Sequence, residues 1–197
     1  MHSMREGKLF IVSAPSGCGK TTLCKKLLRH KLNLSHSVSV TTRPPRPGEI
    51  EGKDYFFVSL EEFRAMAKRK EFLENEENFG YFYGTPKKFV ENLLAKGKNV
   101  LLSIDVKGAA RISALYPGKS VLIFIMPPTL GVLKKRLESR MTDPAHSISN
   151  RLKIAKHEIK YKGRYDYVVV NDRLDTACRK LKNIIKKETL NAGHTDG

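Results

Sequence analysis

The residues with the clearest capacity for chemistry lie in "SAPSGCGKTT", Ser13 to Thr22, between an apolar run and a helical pattern. Glycines and small residues let backbone N–H groups approach a polyphosphate, and the start of a helix adds the positive end of its dipole. Lys20 can reach the terminal phosphates, and the Thr21 hydroxyl can ligate Mg²⁺. The stretch therefore predicts a nucleoside triphosphate site, the phosphate loop, formed by Ala14, Pro15, Ser16, Gly17, Cys18, Gly19, Lys20, Thr21 and Thr22.

Two residues of the phosphate loop need separate comment. Ala14 stands where such loops usually carry glycine, and it fits if the chain enters the loop with a negative φ. Cys18 precedes a helix and a lysine, which favours the thiolate, so we expect it to be sensitive to oxidation. The other cysteines, Cys24 and Cys178, suit small buried positions. An odd number of cysteines without metal-ligand spacing argues against a disulfide framework or a zinc site.

Composition limits the function classes. The 197 residues include 37 Lys and Arg against 20 Asp and Glu, a formal net charge of +17, which favours a polyanionic ligand. The chain lacks the ribonucleoprotein, zinc-finger and helix-turn-helix patterns, which argues against nucleic acid as the partner. No apolar run reaches membrane length and the first residues are not a secretory segment, so we expect a cytoplasmic protein without a membrane partner. The oligomeric state, including a homo-oligomer, stays open.

Apolar runs alternate with helical patterns along the chain. Short runs rich in Val, Ile and Leu are typical of parallel strands that are covered on both faces; they are "KLFIVS", "NVLLSID", "SVLIFIM" and "DYVVVN". A helical stripe is predicted near the C-terminus at Leu174, Ala177, Cys178, Leu181, Ile184 and Ile185. This alternation predicts an α/β domain with a parallel sheet.

Two segments interrupt the alternation. Residues 37–84 are rich in Tyr, Phe, Gly, Pro and charge, with a strand-like "DYFFVS" and a helix-like "LEEFRAMAKRKEF", and predict a small inserted α+β lobe. Residues 134–164 carry ten Lys and Arg against three Asp and Glu and predict a basic helical arm with a turn at "MTDPAHS".

Four stretches follow the phosphate loop in this order: "SVSVTTRPPRPGEIEGKDYFF", "FLENEENFGYFYGTP", "SIDVKGAARI" and "VVVND". With the loop, they resemble guanylate kinases, which transfer a phosphoryl group from ATP to GMP, over residues 7–187. The resemblance implies a three-layer P-loop core (7–36, 85–133 and 165–187), a GMP-binding lobe (37–84), a basic lid (134–164) and a tail (188–197). It also implies that dGMP is a substrate and that the reaction serves purine nucleotide metabolism and GMP recycling.

The resemblance implies two groups of GMP-binding residues. Those around the phosphate are Ser39, Arg43, Arg46, Tyr55 and Tyr83; guanidinium forks match phosphate oxygens, and the prolines beside Arg43 restrict the free chain. Those at the base are Glu74, Thr85 and Asp105. Guanine presents N–H donors at N1 and N2, so carboxylates are its natural acceptors.

The resemblance also implies that the lid closes over the site and brings its arginines around the transferred phosphoryl group. The implied catalytic residues are Lys20, Arg43, Arg136, Arg140 and Arg151, of which Arg151 also contacts GMP and Arg136 also contacts ATP. Asn171 is implied to contact the adenine edge, and Thr21 to hold the cofactor Mg²⁺. Ser103 departs from the family, which usually has aspartate there.

Two alternatives are weighed against this function. A non-catalytic guanylate-kinase-like module would bind phosphopeptides, but the intact phosphate loop and the complete arginine set argue against it. The second alternative is a related small-molecule or nucleoside monophosphate kinase, for example one acting on a phosphorylated ribose. A sugar phosphate has no guanine edge to read, so Glu74 and Asp105 argue against this alternative.

Overall fold

The computed structural model describes residues 7–78, 80–139 and 145–191, without the side chains of 145–147 and 191. The strands are β1 Leu9–Ser13, β2 Leu34–His36, β3 Val40–Thr41, β4 Phe56–Phe57, β5 Phe72–Asn78, β6 Tyr81–Pro86, β7 Asn99–Ser103, β8 Ser120–Met126 and β9 Tyr167–Val170. The helices are α1 Lys20–Leu28, α2 Leu60–Lys68, α3 Lys87–Ala95, α4 Val106–Leu115, α5 Leu130–Glu138, α6 Ala145–Ile159 and α7 Leu174–Asn191, with a 3₁₀ helix at Lys160–Arg164.

The predicted α/β class is confirmed. A five-stranded sheet has the order β2-β7-β1-β8-β9, and its β2–β7 and β8–β9 pairs are parallel. All four predicted apolar runs form strands of this sheet. The expectation that both faces are covered is wrong for β9: Val168 is 46% and Val170 42% exposed, because β9 lies at the sheet edge.

The described residues divide into two compact units, and the first contains 7–9, 33–102 and 110–120. In this unit β4, β3, β6 and β5 form a four-stranded sheet in that order, with β3 parallel to β4 and antiparallel to β6. Helix α2 begins after Ser59, whose hydroxyl accepts the Glu62 N–H. Phe63 of α2 stacks on Phe72 of β5 with ring centroids 4.7 Å apart. The predicted α+β lobe forms, although the strand expected in "DYFFVS" is only Phe56–Phe57.

The second unit contains 10–32, 103–109 and 121–191. Helix α7 packs against α1 through the predicted stripe, of which Ala177, Cys178, Leu181 and Ile185 are buried. An ion pair between Lys26 and Asp175 joins the two helices at the surface. The predicted domain boundaries, including the extent of the lid, stay predictions.

The basic arm is helical, and its predicted turn is wrong for Ala145 to Ser147, which form the start of α6. Helix α5 ends at Glu138 and α6 begins at Ala145. Arg140 and most of "MTDPAHS" lie outside the described residues. Within the part of the chain that is described, no helix combines the length and the apolar character needed to cross a bilayer.

Candidate functional site

The phosphate loop connects β1 to α1 and has the backbone that its glycines predict. Gly17 and Gly19 have positive φ values of 87° and 79°. A Cβ at Gly19 would lie 2.8 Å from Asn171 Nδ2, and one at Gly17 2.8 Å from Leu137 Cδ2, so glycine is needed at both positions for conformation and for space. Ala14 is not among the described residues with positive φ, which confirms the predicted entry into the loop.

Groups far along the chain brace the phosphate loop. The buried Asn171 donates from Nδ2 to the Cys18 carbonyl at 2.8 Å. Arg136 in turn donates from Nη2 to the Asn171 carbonyl at 3.0 Å. The side chain of Asn171 therefore holds the loop in shape, a role that sequence reasoning missed; its contact with adenine stays a prediction.

Lys20 begins α1, and its Nζ donates to the Ile104 carbonyl at 2.8 Å. Asp105 follows on the same segment, and its Oδ1 accepts the N–H groups of Lys107 at 3.0 Å and Gly108 at 2.8 Å. This carboxylate thus satisfies the first free N–H groups of α4. Asp105 belongs to the same unit as the phosphate loop, whereas Glu74 belongs to the other unit; their joint contact with guanine stays a prediction.

A carboxylate that sequence reasoning did not single out also meets the phosphate loop. Glu158, in the last turn of α6, lies within electrostatic reach of the Ser16 backbone, Lys20 and Asp105. Burial raises the pKa of Glu158 to about 7; Lys20 opposes this rise and Asp105 adds to it. The available signal was that Glu158 is one of only three acidic residues in the basic arm.

The cysteines are free thiols, and all three are buried. Burial raises the pKa of Cys24 to about 11, as suits a small core residue. Cys18 has no exposed surface, so the expected sensitivity to oxidation does not fit its surroundings.

The predicted phosphate-binding residues of the first unit gather around Arg43. Its guanidinium carbon lies 5.4 Å from the Tyr55 ring centroid, and the Tyr55 and Tyr83 rings are 6.0 Å apart. Burial raises the pKa of Tyr55, so its hydroxyl remains a donor at neutral pH. The side chain of Arg46 is exposed and that of Ser39 half-buried.

Glu49 was missed by the sequence analysis and organises this cluster. Arg43 Nη2 donates to both Glu49 carboxylate oxygens, at 2.9 and 2.8 Å. Glu49 Oε2 also accepts the backbone N–H of Arg46 at 2.8 Å. Glu49 lies only six residues beyond Arg43 in the same proline-rich segment, so its charge and proximity were a usable signal.

The two predicted base-reading residues of the first unit are side by side. Glu74 is 7% and Thr85 1% exposed, and Thr85 Oγ1 donates to Glu74 Oε1 at 2.5 Å. A β-bulge between Phe72 and Glu74 sets the register that places Glu74 opposite Thr85.

Arg111 of α4 supports this strand, and the sequence offered no signal for it. Its Nη1 donates to the Asn75 carbonyl at 3.1 Å, and its Nη2 lies 2.7 Å from Glu76 Oε1. Arg111 therefore holds β5 at the two residues that follow Glu74.

For the remaining predicted site residues, the structure gives the position in the fold and the exposure of the side chain. Arg151 is half-buried on α6, and Pro15 is buried, while Thr21 and Thr22 are exposed at the start of α1. Among the described residues, no three His, Cys, Asp or Glu side chains form a metal-binding group. A hard hydroxyl oxygen at Thr21 beside a polyphosphate loop suits Mg²⁺, which keeps several waters and binds substrate phosphates more than protein side chains.

Comparisons with known proteins point to one family. The family model for guanylate kinase matches residues 6–188. A guanylate kinase from Nitrosospira multiformis is 46% identical over 184 residues, covering 93% of this chain and 87% of the relative, and one from Wolbachia pipientis wMel is 47% identical over 185 residues, covering 94% and 92%.

A solved structure gives the same result. The crystal structure of guanylate kinase from Anaplasma phagocytophilum has a TM-score of 0.79 at 38% identity, and covers 94% of this chain and 88% of that one. With a family match across nearly the whole chain and relatives at this identity, the chain belongs to the guanylate kinase family.

Proposed function

We propose that this protein transfers the γ-phosphoryl group of ATP to GMP, forming ADP and GDP. The observation that carries the proposal is the acceptor site of the first unit, where a buried Glu74–Thr85 pair and the Arg43–Tyr55–Tyr83 cluster occur together. The first can accept the guanine N–H donors and the second can hold a phosphate dianion. We also propose that dGMP is accepted, and that the reaction serves purine nucleotide metabolism and GMP recycling.

The phosphate loop is proposed to bind ATP. Its backbone N–H groups and the α1 dipole attract the phosphates, and Lys20 adds a positive charge. The Ile104 carbonyl accepts a hydrogen bond from the Lys20 ammonium and holds it at the start of α1. The Lys20 side chain therefore loses less conformational freedom when ATP binds. When bound, Mg²⁺ would be held by Thr21 and the phosphates and would neutralise part of their charge.

The chemistry needs no protein nucleophile. An oxygen of the GMP phosphate forms a bond to the γ-phosphorus of ATP, and the bond from that phosphorus to the bridging oxygen breaks, leaving ADP. Negative charge spreads over the transferred oxygens, so preorganised cations lower the barrier. We assign this role to Lys20, Arg43, Arg136, Arg140 and Arg151. We place the reaction in the cytoplasm, with ATP and GMP as the partners.

A coupled assay that offers Mg²⁺-ATP with GMP, dGMP, AMP, UMP or CMP tests the proposal. We expect rapid ADP formation with the guanine nucleotides and little with the others. ATP consumption without preference for a guanine nucleotide, or no consumption at all by folded protein, would overturn the proposal.

The base-reading role is tested by Glu74→Gln. The amide presents N–H donors toward guanine donors and has no charge, so we expect kcat/KM for GMP to fall by about 10- to 100-fold, as for loss of a charged hydrogen bond. The Kd for ATP should not change. Glu77→Gln, on the same strand but exposed, is the matched control and should behave as wild type. Unchanged GMP kinetics in Glu74→Gln would remove Glu74 from the site.

A further inference from the structure

Glu76 is a carboxylate on the face of β5 and β6 that carries the proposed GMP contacts. It lies directly opposite Tyr83, and two residues before it Glu74 lies opposite Thr85. Residues that are opposite each other in an antiparallel pair, or two apart on one strand, have side chains on the same face. The hydrogen bond from Thr85 to Glu74 agrees with this arrangement. We call these four residues, Glu74, Glu76, Tyr83 and Thr85, the acceptor face.

A second carboxylate on the acceptor face is unfavourable for a substrate that carries a phosphate. A phosphate monoester has about two negative charges at neutral pH. Glu76 Oε1 is buried, and no group in the described part of the chain donates a hydrogen bond to it. Because water does not reach this oxygen, its charge is poorly screened and repels a nearby anion. Binding of GMP at this face therefore requires a cation that compensates Glu76.

Arg111 of α4 supplies that cation. Its Nη2 lies 2.7 Å from Glu76 Oε1, and its Nη1 donates to the Asn75 carbonyl at 3.1 Å. Two contacts from one planar guanidinium fix the position of the charge. The side chain of Arg111 is 58% exposed and that of Glu76 only 12%, so the cation lies on the solvent side of the pair. With Arg111 in place, the pair has no net charge.

We propose that Arg111 is a positioning residue for GMP, which acts by neutralising Glu76 so that the acceptor face tolerates a phosphate dianion. The inference rests on the proposed function, because it requires GMP at this face. It adds to that site an ion pair of which the family resemblance implied neither member. Support of β5 through the Asn75 carbonyl is a separate effect of Arg111, and it needs a hydrogen-bond donor but no charge.

A double-mutant cycle of Arg111→Met and Glu76→Gln separates these two effects. Methionine has a long unbranched side chain without charge or donor, so Arg111→Met leaves Glu76 as an uncompensated carboxylate. The double variant lacks both charges, but it still lacks the bond to Asn75. The matched controls are Arg64→Met on α2 and Glu77→Gln on β5, which remove the same charges from exposed positions of the first unit.

Calorimetry measures the Kd of GMP, and steady-state kinetics measure the KM for GMP and for ATP. In dilute buffer we expect Arg111→Met to raise the Kd and the KM for GMP about tenfold, because one negative charge is left beside the dianion. High salt should reduce this difference. The double variant should return to within about twofold of wild type. Both controls, and the KM for ATP in every variant, should match wild type.

Two results would overturn this inference alone, in a wild-type protein that phosphorylates GMP. One is an unchanged Kd of GMP in folded Arg111→Met, and the other is a Kd that is raised equally in the double variant, which would leave Arg111 only its support of β5. If circular dichroism shows that Arg111→Met does not fold, Arg111→Gln replaces it in the cycle, since glutamine keeps a donor for the Asn75 carbonyl. Folded wild type that fails to phosphorylate GMP would overturn the inference together with the proposed function.

Discussion

Replacing Glu158 with glutamine should make the protein more stable at alkaline pH. The Glu158 carboxyl is largely buried, and it lies within electrostatic reach of the opposite charge of Lys20 and the like charge of Asp105. Burial is the largest influence, and it raises the pKa from 4.5 to about 7. Glutamine keeps the size and the acceptor oxygen of the side chain but has no proton to lose.

The sign and the size of this stability difference follow from the linkage between protonation and folding. Because the folded-state pKa is higher than the unfolded-state pKa, the folded protein binds more protons between pH 4.5 and 7. Wild-type stability therefore falls as the pH rises through that window, and the full cost is present above pH 7. At about 1.4 kcal/mol for each pH unit, the cost is about 3 kcal/mol at pH 8 and under about 1 kcal/mol at pH 5.

Urea unfolding followed by circular dichroism at pH 5 and pH 8 measures this difference. We expect Glu158→Gln to exceed wild type in its free energy of unfolding at pH 8, and the advantage to shrink at pH 5. Glu138→Gln, which changes an exposed carboxylate, should follow wild type at both values. An advantage of the same size at both pH values, or a less stable variant at pH 8, would refute the reasoning.

Two further predictions concern the first unit. Glu49→Gln removes the charged partner of the buried Arg43 guanidinium, so it should lower the free energy of unfolding by about 1–3 kcal/mol. It should also raise the KM for GMP and leave the Kd for ATP unchanged. An unaltered KM for GMP would contradict this role. Gly84→Ala puts a Cβ 2.7 Å from the Phe72 ring and should destabilise by about 1–3 kcal/mol in thermal unfolding. Gly163→Ala, where a Cβ meets nothing within 4 Å, is its control, and equal melting temperatures for the two variants would show that Phe72 adapts without cost.

Much of the fold could be read from local patterns. The run "SVLIFIM" coincides with β8, and the α7 stripe is buried at four of its six positions. Such patterns are informative because the side chains of one strand or helix face are spaced by the backbone itself. Boundaries were less accurate: the strand expected in "DYFFVS" is only Phe56–Phe57, since pairing with a neighbouring strand and not residue type decides where a strand stops.

The candidate site was predictable where its members are neighbours in sequence. Glu49 could have been found in this way, because it faces Arg43 from the same short segment. Arg111 could not, because its contact with the Asn75 carbonyl joins a helix to a strand 36 residues away. Its role depends on how α4 lies against β5, about which residue types and spacing carry no information.

The sequence by itself determined the phosphate loop, because the positive φ values of Gly17 and Gly19 and the helix start at Lys20 are requirements of consecutive residues. Only the tertiary structure decided what holds that loop. Asn171 Nδ2 donates to the Cys18 carbonyl across 153 residues, and Arg136 donates to the Asn171 carbonyl from α5. Backbone conformation is set by adjacent residues, whereas a hydrogen-bond partner is set by the packing of whole elements, which no single stretch of the chain encodes.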